Sequence, residues 1–176
     1  MSLVIRNTKG SLQLEPSFYY FAYGSCMCPV DLKRSLGEST HGYVVNAAVL
    51  EGYRLGFFRR SRRRNCGVLD IAPAPRCQVH GVLYRLPQRL SAHLDKREEG
   101  YRQQVVSVKC KGQMYPHTRT YTVIEKLRRE MAPNDWYSNV VLRGALTCGL
   151  PEQYYWQLFH HMHQLQRQER LSPGPG

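Results

Sequence analysis

The stretch from Phe18 to Gly37 constrains the chain more than any other. Phe18-Tyr19-Tyr20-Phe21-Ala22-Tyr23 is a run of aromatic and small apolar residues that reads as a buried strand. Gly24 then turns the chain, and the residues from Pro29 to Leu36 read as a helix, with proline in its first turn and Gly37 as its C-terminal stop. A strand that ends in Gly-Ser just ahead of a helix aims backbone N–H groups at one point. That geometry suits a carboxylate or a developing oxyanion. Junctions of this kind also serve merely to reverse the chain, so the junction alone assigns no chemistry.

With 176 residues there is material for one domain with a proper core, and too little for two. The expected division is a loose arm or short edge strand over 1–16, a single domain over 17–168 and a disordered tail over 169–176, where Ser172-Pro173-Gly174-Pro175-Gly176 has nothing to bury. No apolar run approaches the roughly 20 residues of a membrane span, and the polar residues around Arg6 and Lys9 lack the apolar centre of a signal peptide. A soluble cytoplasmic protein, with no membrane partner, is the expectation.

Further along, 43–50 and 53–58 carry strand patterns separated by Glu51-Gly52. Two more strands are expected, from Cys66 to Ala72, ended by Pro73 and Pro75, and from Val79 to Leu86, ended by Pro87. Ser91 to Glu98 reads as a short helix, with Leu90 and Leu94 on one face. Val106, Val108 and Cys110 alternate with polar residues in a strand over 103–110, and Thr118 to Ile124 is the last strand. Helices follow from Asp135 to Cys148 and from Pro151 to about Gln166. Strands early and helices late, without regular alternation, predict an α+β fold with a mixed, largely antiparallel sheet curled into a small barrel.

The six cysteines contain no C-x-x-C pair, so reduced and mostly buried thiols are expected, with neither a structural zinc nor any other cofactor. His160 and His163 share a helical face but have no carboxylate in a ligand pattern, and read as ordinary surface or core histidines. The net charge of +12 is concentrated locally in Arg59-Arg60-Ser61-Arg62-Arg63-Arg64. A run of this kind can engage phosphates. Here it links two apolar strands and no nucleic-acid motif accompanies it, so a solvated turn is expected and a nucleic-acid partner is not.

Four stretches together resemble the gamma-glutamylcyclotransferase (AIG2-like) family. They are Phe21-Ala22-Tyr23-Gly24-Ser25, similar to the family's Tyr-Gly-Ser-Asn loop; Leu94-Asp95-Lys96-Arg97-Glu98 followed by Gly100-Tyr101; Tyr137 with Arg143-Gly144-Ala145; and Gly149-Leu150-Pro151-Glu152-Gln153-Tyr154. Gly52-Tyr53-Arg54-Leu55 and Gly81-Val82-Leu83-Tyr84 also match its strand wording. The resemblance spans residues 18–158. It implies an enzyme that cyclises a small gamma-glutamyl compound to 5-oxoproline and releases an amine or amino acid, an acyltransferase- or lyase-type reaction.

The resemblance makes Glu98 the catalytic acid and base, in an expected apolar setting that raises its pKa toward working pH, with Glu99 an outward neighbour. Tyr23, Gly24, Ser25 and Cys26 become the substrate-gripping loop, and Tyr101 and Tyr137 wall or hydrogen-bonding residues. One departure stands out. Cys26 occupies the place where the family usually has asparagine. This leaves two alternatives open, a Cys26 nucleophile forming a gamma-glutamyl thioester, or a catalytically altered member serving as a binding module with the arginine run as its contact surface.

Overall fold

A computed structural model describes residues 4–6 and 12–172. Residues 1–3, 7–11 and 173–176, which include half of the expected arm and the end of the expected tail, lie outside the described residues.

Two short strands, β1 (Val4–Arg6) and β2 (Leu12–Leu14), pair antiparallel as a separate ribbon. The fold proper begins with β3 (Ser17–Ala22), whose last three residues are fully covered. A single 3₁₀ turn over Ser25–Met27 then leads into α1 (Pro29–Leu36). Pro29 opens this helix without losing a hydrogen bond, because the first helical N–H groups have no intrahelical acceptor. Gly37 closes it in the left-handed conformation at φ 79°, donating its N–H to the Lys33 carbonyl.

The middle of the chain is more continuous than its sequence suggests. β4 (Val44–Ser61) runs through Glu51-Gly52, which forms a bulge with Gly52 at φ 79°. β5 (Cys66–Pro87) runs through Pro73 and Pro75, replacing the two expected strands with one. The prolines do not end the strand because of where they fall. Pairing with β4 jumps from Gln78 to Pro73 across the Gly52 bulge, so residues 74–77 face no ladder partner and the missing N–H of Pro75 is harmless, while Pro73 sits at the edge of that gap opposite Tyr53.

A 3₁₀ turn and α2 (Ser91–Arg97) precede the hairpin of β6 (Tyr101–Cys110) and β7 (Gln113–Val123). That hairpin turns on Lys111 and Gly112, both at positive φ, as a two-residue connection between right-twisted strands requires. β7 begins at Gln113, five residues before the expected start at Thr118. α3 (Asp135–Thr147) is capped by the Asn134 side chain, which accepts from the Tyr137 N–H at 2.8 Å. α4 (Glu152–Leu171) follows Gly149 at φ 72° and Pro151. It continues past the expected end near Gln166, so residues 169–171 are helical rather than part of a tail.

The strands close into a five-stranded barrel in the order β3-β5-β4-β6-β7. All neighbours are antiparallel except β3 and β7, which meet in parallel where Tyr20 faces Arg119 and seal the barrel. With four flanking helices this is the α+β, mixed-barrel fold expected. Phe21, Leu50, Phe57, Ile71, Val82, Leu83 and Val108 of the strands and Leu32, Leu94, Leu158 and Met162 of the helices belong to one buried core. Each such side chain contributes roughly 1.5–3 kcal/mol of hydrophobic stabilisation.

Candidate active site

Where β3 leaves the barrel, a pocket opens that is lined by Tyr20, Tyr23, Gly24, Ser25, Cys26, Leu69, Glu98, Tyr101, Tyr121 and Tyr137. Every residue singled out from the sequence for catalysis or substrate contact lies on it. The structure therefore gathers Tyr23, Gly24, Ser25, Cys26, Glu98, Tyr101 and Tyr137 into one place.

The turn after β3 forms one side. Met27 N–H donates to the Gly24 carbonyl at 3.0 Å and Cys28 N–H to the Ser25 carbonyl at 3.2 Å. As the opening residues of this helical turn, Gly24, Ser25 and Cys26 have N–H groups that the turn itself does not use. The turn is held from behind by α3. A Cβ at Gly144 would lie 2.6 Å from the Cys28 nitrogen and 2.9 Å from the Met27 carbonyl carbon, so glycine lets the helix seat directly on the turn. Tyr84 Oη adds a 3.0 Å bond to the Met27 carbonyl.

Glu98 comes from the other side, as the residue that ends α2. Its side chain is only 12 % exposed, and Oε1 accepts from Cys26 Sγ at 3.0 Å and from Tyr20 Oη at 3.5 Å. Its setting is thus a polar one of thiol, phenol and guanidinium rather than the apolar one expected. Glu99, Asp95 and Lys96 are exposed, as read from the sequence.

Arg97 is the residue that sequence reasoning missed. Its side chain is 10 % exposed and binds Asp31 Oδ2 at 2.6 Å, Ser25 Oγ at 3.1 Å, Cys26 Sγ at 3.0 Å and Ser35 Oγ. It also lies 3.7 Å from Glu98 Oε1. One guanidinium thereby ties α1, the 3₁₀ turn and the end of α2 together. Burial opposes its charge, but Cys26, Glu98 and Asp31 outweigh burial and hold its pKa above the ordinary value. The only local signal was an arginine next to the candidate glutamate, and its partner Asp31 is 66 residues away.

The same surroundings decide the state of Cys26. Burial pushes its thiol pKa up from 9.0 to about 12, and the lowering effect of Arg97 does not offset this. The neutral thiol is a donor to Glu98 rather than a ready nucleophile, since the thiolate is the attacking form.

Tyr101 and Tyr137 are placed by an irregularity in the barrel. The β4–β5 register shifts between Gly56 and Arg59, leaving Leu69 out of the ladder. Leu69 N–H donates to Tyr137 Oη at 3.0 Å, and its carbonyl accepts from Tyr101 Oη at 3.0 Å. Burial raises the pKa of both phenols, so both stay protonated. Tyr137 Oη sits 3.1 Å from where a Cβ of Gly24 would be. Tyr23 Oη donates to the Tyr121 carbonyl at 2.5 Å.

Outside this pocket, His160 and His163 are exposed on α4, and among the described residues no group of three or more His, Cys, Asp or Glu could hold a metal ion. Among the described residues no helix is long and apolar enough to cross a membrane.

Known proteins resemble this chain in sequence and in fold. The model of the AIG2-like family matches residues 78–158, a segment that contains Glu98, Tyr101 and Tyr137 but not the turn at 23–26. The Bacillus subtilis protein YkqA, whose name assigns it provisionally to the gamma-glutamylcyclotransferases, is 33 % identical over 152 residues. That match covers 84 % of this chain and 53 % of YkqA, so the chain spans about half the length of this relative. The crystal structure of YkqA superimposes with a TM-score of 0.78 at 32 % identity, over 86 % of this chain and 56 % of that one. A structure described as a gamma-glutamyl cyclotransferase shares the fold with a TM-score of 0.74 at 24 % identity, covering 82 % of this chain and 87 % of its own. An uncharacterized human protein gives 0.72 at 25 % identity, over 82 % and 88 %. Residues 78–158 are thus similar in sequence to the AIG2-like family, and the barrel has the gamma-glutamylcyclotransferase-like fold.

Proposed function

We propose that this chain cyclises a small gamma-glutamyl compound to 5-oxoproline and releases an amine or amino acid. The observation that carries the reading is the position of Glu98, whose carboxylate is nearly covered and 3.0 Å from Cys26 on the 23–26 turn.

In such a substrate the α-amine lies a five-membered ring away from the γ-carbonyl, so holding the chain folded supplies much of the rate. Three tasks remain for the protein. The α-ammonium must lose a proton before its nitrogen can attack, the oxyanion must be stabilised, and the leaving nitrogen must gain a proton. In the tetrahedral intermediate both nitrogens sit on one carbon. A single carboxylate, Glu98, takes the proton from the first and returns it to the second as the old C–N bond breaks.

The N–H groups of the 23–26 turn face the substrate's α-carboxylate or the oxyanion. Tyr101 and Tyr137 act as walls. The Tyr137 hydroxyl accepts from Leu69 N–H and still has its own proton to donate. Cys26 supplies one S–H where asparagine is expected, and it uses that donor on Glu98.

The test is to incubate the protein with gamma-glutamyl dipeptides, gamma-glutamylamines and glutathione and to assay 5-oxoproline. Release from at least one class supports the reading, and none from any class contradicts it. A Cys26 nucleophile is the weaker reading, because its thiol is held protonated and no histidine lines the pocket.

A further inference from the structure

The arginine run is not simply a solvated turn. Two of its members fold back onto the pocket walls. The Arg59 guanidinium lies 4.6 Å over the Tyr101 ring and packs so closely on Gly100 that a Cβ there would meet its Nη2 at 2.3 Å. The Arg64 guanidinium lies 5.0 Å over Trp136 and 5.6 Å over Tyr137. Both side chains are half-buried. Among the described residues neither is paired with a carboxylate. Exposed Glu99, one residue from Gly100, does not bind Arg59, and Glu130 pairs with His161 instead.

Stacking holds a guanidinium in place without consuming its N–H donors, which lie in the guanidinium's own plane. Two positive charges are thus fixed beside Tyr101 and Tyr137 with their donors uncommitted. The glutamyl half of a substrate is accounted for by Glu98 and the 23–26 turn. Tyr101 and Tyr137 belong to the remaining wall of the same pocket, and the two arginines stack on them just outside its lining, where the far end of a leaving group would emerge.

We propose that Arg59 and Arg64 determine specificity by binding a leaving group that carries more than one carboxylate, as in gamma-glutamylglutamate and short gamma-linked glutamyl oligomers. This rests on the cyclisation reading above. In such an oligomer only the first residue has a free α-amine. Its nitrogen forms the lactam bond, the first γ-amide bond breaks, and the leaving nitrogen takes the proton. The product is 5-oxoproline plus a chain one residue shorter with a new free α-amine.

The test compares kcat/KM for gamma-glutamylglutamate, gamma-glutamylalanine and gamma-glutamylpropylamide, whose leaving groups carry two, one and no carboxylates. Each arginine contact is expected to add about two- to tenfold, giving a descending order across the three that flattens as salt is raised. Arg59→Gln and Arg64→Gln should compress this order mainly through KM, while Arg63→Gln, on the exposed turn, should not. Equal kcat/KM for the three substrates, or an order indifferent to salt and to both substitutions, overturns the proposal.

Calorimetric binding of gamma-glutamylglutamate to the Glu98→Gln chain separates recognition from chemistry. Binding weakened by Arg59→Gln or Arg64→Gln without any turnover in the parent keeps the arginine assignment and removes the cyclisation. Turnover with no arginine dependence does the reverse.

Discussion

The Cys26 thiol donates a hydrogen bond to Glu98 Oε1 at 3.0 Å while accepting one from Arg97 Nε, also at 3.0 Å. These two bonds make Cys26 the bridge between the substrate-facing turn and the candidate acid–base residue. Burial, which holds the thiol protonated against the lowering effect of Arg97, makes it a poor nucleophile.

Thiol reactivity follows from this. At pH 8, iodoacetamide should modify exposed Cys77 first and reach Cys26 only after unfolding. Cys26→Ala should retain activity within about tenfold and lose about 1–2 kcal/mol of stability, since only one hydrogen-bonded thiol is removed. Mass spectrometry of the modified peptides and a 5-oxoproline assay check both parts.

Alkaline pH should destabilise the fold in a defined window. An unfolded thiol ionises near 9.0, whereas folded Cys26 keeps its proton until about 12 and Cys148 until about 11. Their raised pKa values therefore contribute stability that is complete below the unfolded value and is lost as pH rises through the folded one. Denaturant midpoints measured from pH 8 to 11 should fall, and should fall less steeply in Cys26→Ala.

Arg97 should matter for stability as much as for activity. Asp31 is 6 % exposed and loses its partner when Arg97 becomes methionine. That variant is expected to lose about 3–5 kcal/mol, the usual effect of leaving one charge of a buried pair alone. Removing Asp31 as well should cost less than the two single losses added, a coupling that a double-mutant cycle in urea measures directly.

Gly144→Ala probes the seat of the turn. Its methyl group would meet backbone atoms of Cys28 and Met27 rather than a yielding side chain. A loss of about 1–3 kcal/mol is expected from overpacking. Activity should drop as well, because α3 is pushed off the turn that faces Glu98. Thermal melts and 5-oxoproline rates on the same sample test the link.

Local signals accounted for much of what could be read beforehand. Pro29 and Gly37 bracket α1 at the residues where the structure starts and stops it, and Lys111-Gly112 reverses a hairpin whose first strand was visible in its alternation. What escaped depended on distant partners. Pro73 and Pro75 read as strand ends, yet β5 runs through both, with Pro73 opposite Tyr53 and Pro75 left unpaired by the Gly52 bulge on another strand. The Leu69 backbone gained its role from a register shift on β4, and Arg97 from Asp31 on α1. Glu98 and the 23–26 turn were legible only because their wording resembles a known family. Spacing along the chain cannot show that a carboxylate turns inward.

The most direct measurement is the rate of 5-oxoproline release by Glu98→Gln against the parent chain, with thermal melts showing that both are folded. A proton shuttle at Glu98 predicts a loss of about 10²–10⁴-fold in kcat with folding intact. A folded Glu98→Gln variant that turns over gamma-glutamyl compounds at the parent rate would contradict the account.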